Sequence, residues 1–374
     1  MFNKLASLLP ANIVLAAFFT VLFPCLPAAF SQPQRPSGSD LIPFTNRWTS
    51  PDYKAPDLLS ILGCDAARWK PRISSTLVET LGGFNIAYDS ARDRIVLFFG
   101  VDDSGSNLIS ETWEWDGTNW ETLAVGGPEP RVNQSMIYDS SHSESILFGG
   151  QGYDEQHFFM KMLGDTWGWN GDTWSQKQTA HSPSPRAGHA LAFRSPAGDT
   201  VLFGGDNVDS LDYSGPFLND TWTWDGADWS QASPLLSPPP RSRHAMVYDS
   251  HRDRVVLYGG QGESGILGDT WEWDGSSWLQ INTAVSPPPL RAHAMAYDSE
   301  RQKVVLYGGE LGIGFSYETW EYDGTNWAKI KAGNPPVTDS VVMTYDSLRK
   351  ECFLFSGEPP VTNFVYDGKP NCTE

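Results

Sequence analysis

Residues 268–278 read Gly268-Asp-Thr-Trp-Glu-Trp-Asp-Gly-Ser-Ser-Trp278, and close variants of this phrase occupy 111–120, 165–174, 220–229 and 318–327. The first tryptophan falls at 113, 167, 222, 271 and 320, giving steps of 54, 55, 49 and 49 residues. Self-similarity at a fixed period marks a repeat architecture and outranks any local reading of secondary structure.

Working outward, each copy follows an apolar run that closes on a glycine pair or its remnant: 95–100, 146–150, 201–205, 255–260, 304–309 and, in the incomplete last unit, 353–357. Unbroken β-branched runs of this length suit strands buried on both faces. Upstream of each run lies an alternating strand ending in Tyr-Asp-Ser (84–90, 134–140, 244–250, 293–299, 341–347), with Phe193-Arg194-Ser195 as the variant at 189–195. Within the phrase itself, Asp-Gly between two strand patterns is a hairpin signal, since both positions tolerate positive φ. Four short antiparallel strands in about 50 residues is the signature of a propeller blade.

Five units are complete, and the sixth (341–368) stops before its last strand. Arg68-Trp-Lys-Pro-Arg-Ile73 mirrors Asn119-Trp-Glu-Thr-Leu123, so the N-terminal segment is expected to supply the missing strand and remove two sheet edges. The expected fold is therefore an all-β, six-bladed propeller over 61–374. Cys64 and Cys372 flank that seam and are expected to form a disulfide, whereas Cys352 in an apolar run reads as a buried free thiol.

The diglycine closing an apolar strand, followed by two aromatics seven apart (Trp271 and Trp278), resembles the Kelch repeat of galactose oxidase-like propellers over 84–368. It departs from that pattern in carrying Trp where Tyr is usual and in keeping one glycine of the pair at Gly100 and Gly357. The resemblance implies a scaffold, not an activity.

Composition bounds the partners. With 26 basic and 45 acidic residues the net charge is −19, which argues against nucleic acid, whose phosphates need a basic footprint. Residues 1–31 carry Lys4, a long apolar stretch and Ala28-Ala-Phe-Ser31, the layout of a signal peptide, with an uncleaved anchor as the alternative. A polar Pro- and Ser-rich leader at 32–60 follows. The expectation is a secreted or envelope protein, monomeric, with no membrane span after cleavage and no cofactor.

Up-down topology places the tight turns on one face of the ring. The variable loops and the Pro-rich links fall on the other, where recognition usually lives. Gln151, Asp206, Gln261, Glu310 and Glu358 directly follow the glycines and are expected around the pore mouth, with Tyr153, Phe158, Phe159, Tyr213 and Phe315 farther out. Arg131, Arg186 and Arg241 share one link position; they either brace the links or converge to bind an anion, while Arg291 is shifted by one. His189, His244 and His293 share the start of the first strand, where Phe84, Gln134 and Val341 stand in the other units; they are packing residues or weak metal candidates. Fourteen of the 16 tryptophans lie in the repeats and are expected between blades rather than as sugar platforms. The function expected is an exported binding module for a glycan or a protein, with an enzyme acting on sugars (mutarotase, epimerase or oxidase) as the alternative.

Overall fold

The computed structural model describes residues 69–76, 78, 82–98, 100–101, 108–123, 125–154, 159–207, 216–331, 335, 341–356 and 363–368. The expected signal and leader, Cys64, Cys372, Glu358, Phe158 and Tyr213 lie outside them.

The described chain is all-β, and its strands form six four-stranded antiparallel sheets. Strand β1 (Trp69–Arg72) comes first. Blade 1 is β2 (Asn85–Asp89), β3 (Arg94–Phe98), β4 (Thr112–Trp115) and β5 (Trp120–Leu123). Blade 2 is β6 (Ser135–Asp139), β7 (Glu144–Asp154), β8 (Phe159–Trp169) and β9 (Trp174–Lys177). Blade 3 is β10 (Ala190–Arg194), β11 (Asp199–Phe203), β12 (Thr221–Trp224) and β13 (Trp229–Ala232). Blade 4 is β14 (Ala245–Asp249), β15 (Arg254–Gly262), β16 (Gly265–Trp273) and β17 (Trp278–Ile281). Blade 5 is β18 (Ala294–Asp298), β19 (Lys303–Tyr307), β20 (Thr319–Tyr322) and β21 (Trp327–Ile330). Blade 6 is β22 (Val341–Asp346), β23 (Glu351–Ser356), β24 (Asn363–Tyr366) and, on its outer edge, β1, with Trp69 opposite Tyr366.

The first strands of successive blades neighbour one another, and β22 returns to β2, so the sheets form a closed ring. The second strand of each sheet is buried on both faces, which is why it reads as an apolar run, whereas the fourth strand buries little beyond its opening Trp. In blade 5, Met295 and Tyr297 pack toward Val256 and Tyr258 of blade 4, while Ala294 and Ala296 pack toward Val341 and Met343 of blade 6.

The repeated Asp-Thr-Trp phrase is a connector between blades. The Thr hydroxyl accepts the indole N–H that opens the fourth strand of the next blade: Trp174 to Thr112 (2.8 Å), Trp229 to Thr166, Trp278 to Thr221, Trp327 to Thr270 and Trp69 to Thr319 (each 2.9 Å). At the remaining junction Trp120 donates to Asn363, which holds the threonine position in blade 6. The acid before the Thr accepts the N–H of its own motif's first Trp, as Asp165 does from Trp167 at 2.6 Å.

The glycine pair is a steric requirement. Gly204 and Gly205 have φ of 64° and 101°, a region costly to other residues. A Cβ on Gly205 would also lie 2.7 Å from the Ala187 carbonyl oxygen and 3.0 Å from the His189 Cβ. The chain turns there to bring the residue after the pair back beside its own blade's entry link.

Candidate functional site

That return builds the mouth of the channel. Isolated bridges pair Val132 with Gln151, Ala187 with Asp206, Ser242 with Gln261 and Arg291 with Glu310. Just inside, a backbone collar runs from blade to blade: Gly188 N–H donates to Asn133 (2.9 Å), Arg243 N–H to Gly188 (2.7 Å) and Ala292 N–H to Arg243 (2.8 Å). These collar residues all sit in the left-handed region, at φ of 57°, 62°, 55° and 53° from Asn133 to Ala292. An arginine held there is uncommon, and such backbone strain concentrates at functional sites.

The mouth is not six-fold in its chemistry. Arg291 donates through Nε to Glu310 at 2.8 Å and through Nη1 to the Gln261 side-chain oxygen at 3.0 Å. Arg243 stands 3.7 Å from the same Glu310 carboxylate. In the blades before, the Arg291 position holds Val132, Ala187 and Ser242, and the Arg243 position holds Asn133 and Gly188. On the loop that follows, Phe315 bridges back to Glu310, and Ile313, Phe315 and Tyr317 are exposed. Of the other expected mouth residues, Gln151 is buried and accepts from Asn133 Nδ2 at 3.3 Å, and Asp206 is 3% exposed. Tyr153 is exposed on the blade 2 hairpin.

Arg131, Arg186 and Arg241 do not converge on the mouth, which corrects their reading as ligand-binding cations. Their guanidiniums are fully buried and each is held bidentate by a carboxylate of its own blade: Arg131 by Asp165 (2.6 and 2.9 Å), Arg186 by Asp220 (2.6 and 2.8 Å) and Arg241 by Asp269 (2.7 and 2.8 Å). Each also donates to the carbonyl of the first glycine of the pair, at 2.9–3.0 Å. Burial by itself would raise the carboxyl pKa of Asp165, Asp220 and Asp269, but the arginine's hydrogen bonds and charge carry it below the ordinary value. These pairs brace the links, and burial closes the guanidiniums to an anion from solvent. In blade 5 the braced position holds Leu290, and the cation has moved one residue on, to Arg291 at the mouth.

The histidines pack edge-to-face on the last aromatic of the preceding blade's apolar run: His189 on Phe148 (centroids 5.4 Å apart), His244 on Phe203 (5.6 Å) and His293 on Tyr258 (5.5 Å). Phe84 makes the same contact with Phe355 at 5.0 Å. Burial lowers the pKa of His189 and His293 to about 3; burial and the Arg241 charge take His244 well below its ordinary value. All three imidazoles are therefore neutral. Among the described residues, no three His, Cys, Asp or Glu side chains are grouped to hold a metal ion. Both ring nitrogens of His293 and both amide atoms of Gln134 are buried without a hydrogen-bond partner, while His189 and His244 each have one backbone neighbour, Phe148 and Phe203, outside good hydrogen-bond geometry, and a second ring nitrogen with none.

Two chambers meet at this ring. One of about 230 Å³ opens at the mouth and is lined by Asn85, Asn133, Gln134, Arg243, Glu310 and the histidines. The other, about 400 Å³, lies toward the Tyr-Asp-Ser turns and shares the three histidines. Asn133, Arg243 and Asn85 escaped the sequence reading as site residues. The available signal was the break in the repeat, arginine at 243 where glycine stands at 83 and 188.

No family model matches the chain. Among solved structures it is similar to one described as the structure of YjhT, with a TM-score of 0.59 and 16% identity over 79% of this chain and 94% of that one. At that identity the likeness speaks for the fold alone, and it agrees with the six-bladed propeller and with the resemblance of the repeat to the Kelch pattern.

Proposed function

We propose that this chain is an exported binding module whose recognition face is the diglycine side of the propeller, with its site at the channel mouth between blades 4 and 5. One observation carries the reading. The bracing contacts recur from blade to blade, whereas the Arg243–Glu310–Arg291–Gln261 cluster occurs once among the described residues and lies beside exposed Phe315 and Tyr317. Repetition marks what the fold needs, and a polar cluster that breaks it, flanked by exposed aromatics, is what a ligand can use. The partner class is a glycan or a glycan-bearing protein.

The test is binding of the full chain to an immobilised glycan and glycoprotein panel, repeated with Phe315→Ala and Glu310→Gln. Binding without turnover that weakens at least about tenfold in both variants is expected, roughly 1.4 kcal/mol. Retained affinity in both variants would overturn this placement. Time-dependent conversion of a bound sugar would instead favour the enzyme reading.

A further inference from the structure

We propose that the channel mouth takes an uncharged, hydroxyl-bearing ligand, the end of a neutral sugar or a polyol, seated on the ring formed by Gln134, His189, His244 and His293. This rests on the loop-face reading above and names what that face accepts.

The first argument is the unmet hydrogen bonding. These four side chains are 4–6% exposed and line the chamber of about 230 Å³; Gln134 and His293 have no partner for their polar atoms, and His189 and His244 each keep at least one ring nitrogen unmet beside a weak backbone contact to Phe148 or Phe203. Buried polar groups are almost always satisfied, and an unmet one costs on the order of 1–3 kcal/mol. Packing does not require these nitrogens. Phe84 makes the same edge-to-face contact in blade 1 with no polar atom, and Val341 fills the slot in blade 6. Four consecutive blades thus keep hydrogen-bonding atoms that the fold can do without.

The second argument is the kind of partner they want. A neutral imidazole offers one N–H and one lone pair, and a Gln amide offers both donors and an acceptor. A hydroxyl donates and accepts, so it meets either end. A carboxylate or sulfate only accepts and needs a cation. Here the guanidiniums of Arg131, Arg186 and Arg241 are taken by aspartates, and the two cations at the mouth, Arg291 and the chamber-lining Arg243, both face the Glu310 carboxylate. The chamber is smaller than the pockets that hold drug-sized molecules, about 300–1,000 Å³, and suits a single small ring.

The experiment is calorimetric titration of the full chain with glucose, mannose and myo-inositol, against glucuronate as the charged counterpart. It is repeated with His244→Phe, which borrows the packing of Phe84, and with Gln134→Leu; thermal melts verify that both remain folded. At least one neutral probe should bind, glucuronate should bind at least about tenfold more weakly, and each variant should weaken the neutral probe about tenfold. Glucuronate binding as well as the neutral probes, or neutral affinity unchanged in both variants, overturns the inference, as does silence from all four probes. A ligand lost in Phe315→Ala and Glu310→Gln but unmoved by His244→Phe and Gln134→Leu sinks this inference alone. A ligand that depends on His244 and ignores Phe315 and Glu310 sinks the loop-face placement instead.

Discussion

Leu290 stands where Arg131, Arg186 and Arg241 stand in the blades before it, and this one difference separates a brace from a site residue. Where the arginine is present, it satisfies a largely buried aspartate and a glycine carbonyl together. Removing it strands the carboxylate. Arg241→Leu should destabilise the chain by about 3 kcal/mol, and adding Asp269→Asn should recover part of the loss, both read from denaturant melts. The histidines make a second prediction. Each is neutral when folded, but in the unfolded chain it protonates as pH falls below the ordinary value of 6.5. The unfolded state then binds more protons, so this contribution is full above about 6.5 and is lost as pH falls from there toward about 3. The cost is on the order of 1 kcal/mol per pH unit for each imidazole. His293→Phe should flatten Tm against pH between 6.5 and 4; an unchanged slope would show that carboxylates such as Asp269 dominate instead. None of this was legible from residue identity alone. An arginine three residues before the histidine is a brace and one two residues before it is at the mouth, and the difference lies in whether Asp165, Asp220 or Asp269 of the same blade reaches the guanidinium.

At the scale of the element, the Trp-rich phrase couples each sheet to the one before it. Trp229 is fully buried, packs against Phe148 at 5.2 Å and donates to Thr166. Trp229→Ala should cost about 3–5 kcal/mol and Thr166→Val about 1 kcal/mol. In a double-mutant cycle the two should be strongly non-additive, because both remove the same hydrogen bond. The turn glycines carry the opposite face in the same way. A Cβ on Gly171 (φ 95°) would collide with the Arg92 guanidinium of blade 1, itself held by Asp89 and Glu114. The tryptophans and Asp-Gly turns were readable because their spacing implies both the strands and their burial. The threonine and the acid in the same phrase were not, since their partners lie 57–63 residues away or in the link before the strand.

For the whole molecule, the ring depends on β1. Trp69 sits between Tyr307 and Tyr366, with both centroids 5.1 Å away, and Lys70 and Arg72 pair with Asp367 and Glu351. A chain beginning at residue 73 would leave β24 as an exposed edge and the blade 5 to blade 6 junction without its indole. It should melt at lower temperature and associate with rising concentration, measured by thermal scans and size-exclusion chromatography. Intact melting and a monomeric profile would mean that the ring holds without β1. The blade count, the strand order within each blade and the burial of the aromatics followed from the sequence by itself, because a period of about 50 residues and the alternation within it are local properties of the chain. Only the tertiary structure decided which polar residues are spent on the fold and which face the channel. That distinction rests on distances between residues of different blades: Arg241 to Asp269 at 2.7 Å makes a brace, and Arg291 to Glu310 at 2.8 Å makes part of the mouth. Their positions in the repeat differ by one residue, and residue type alone assigns them to one class.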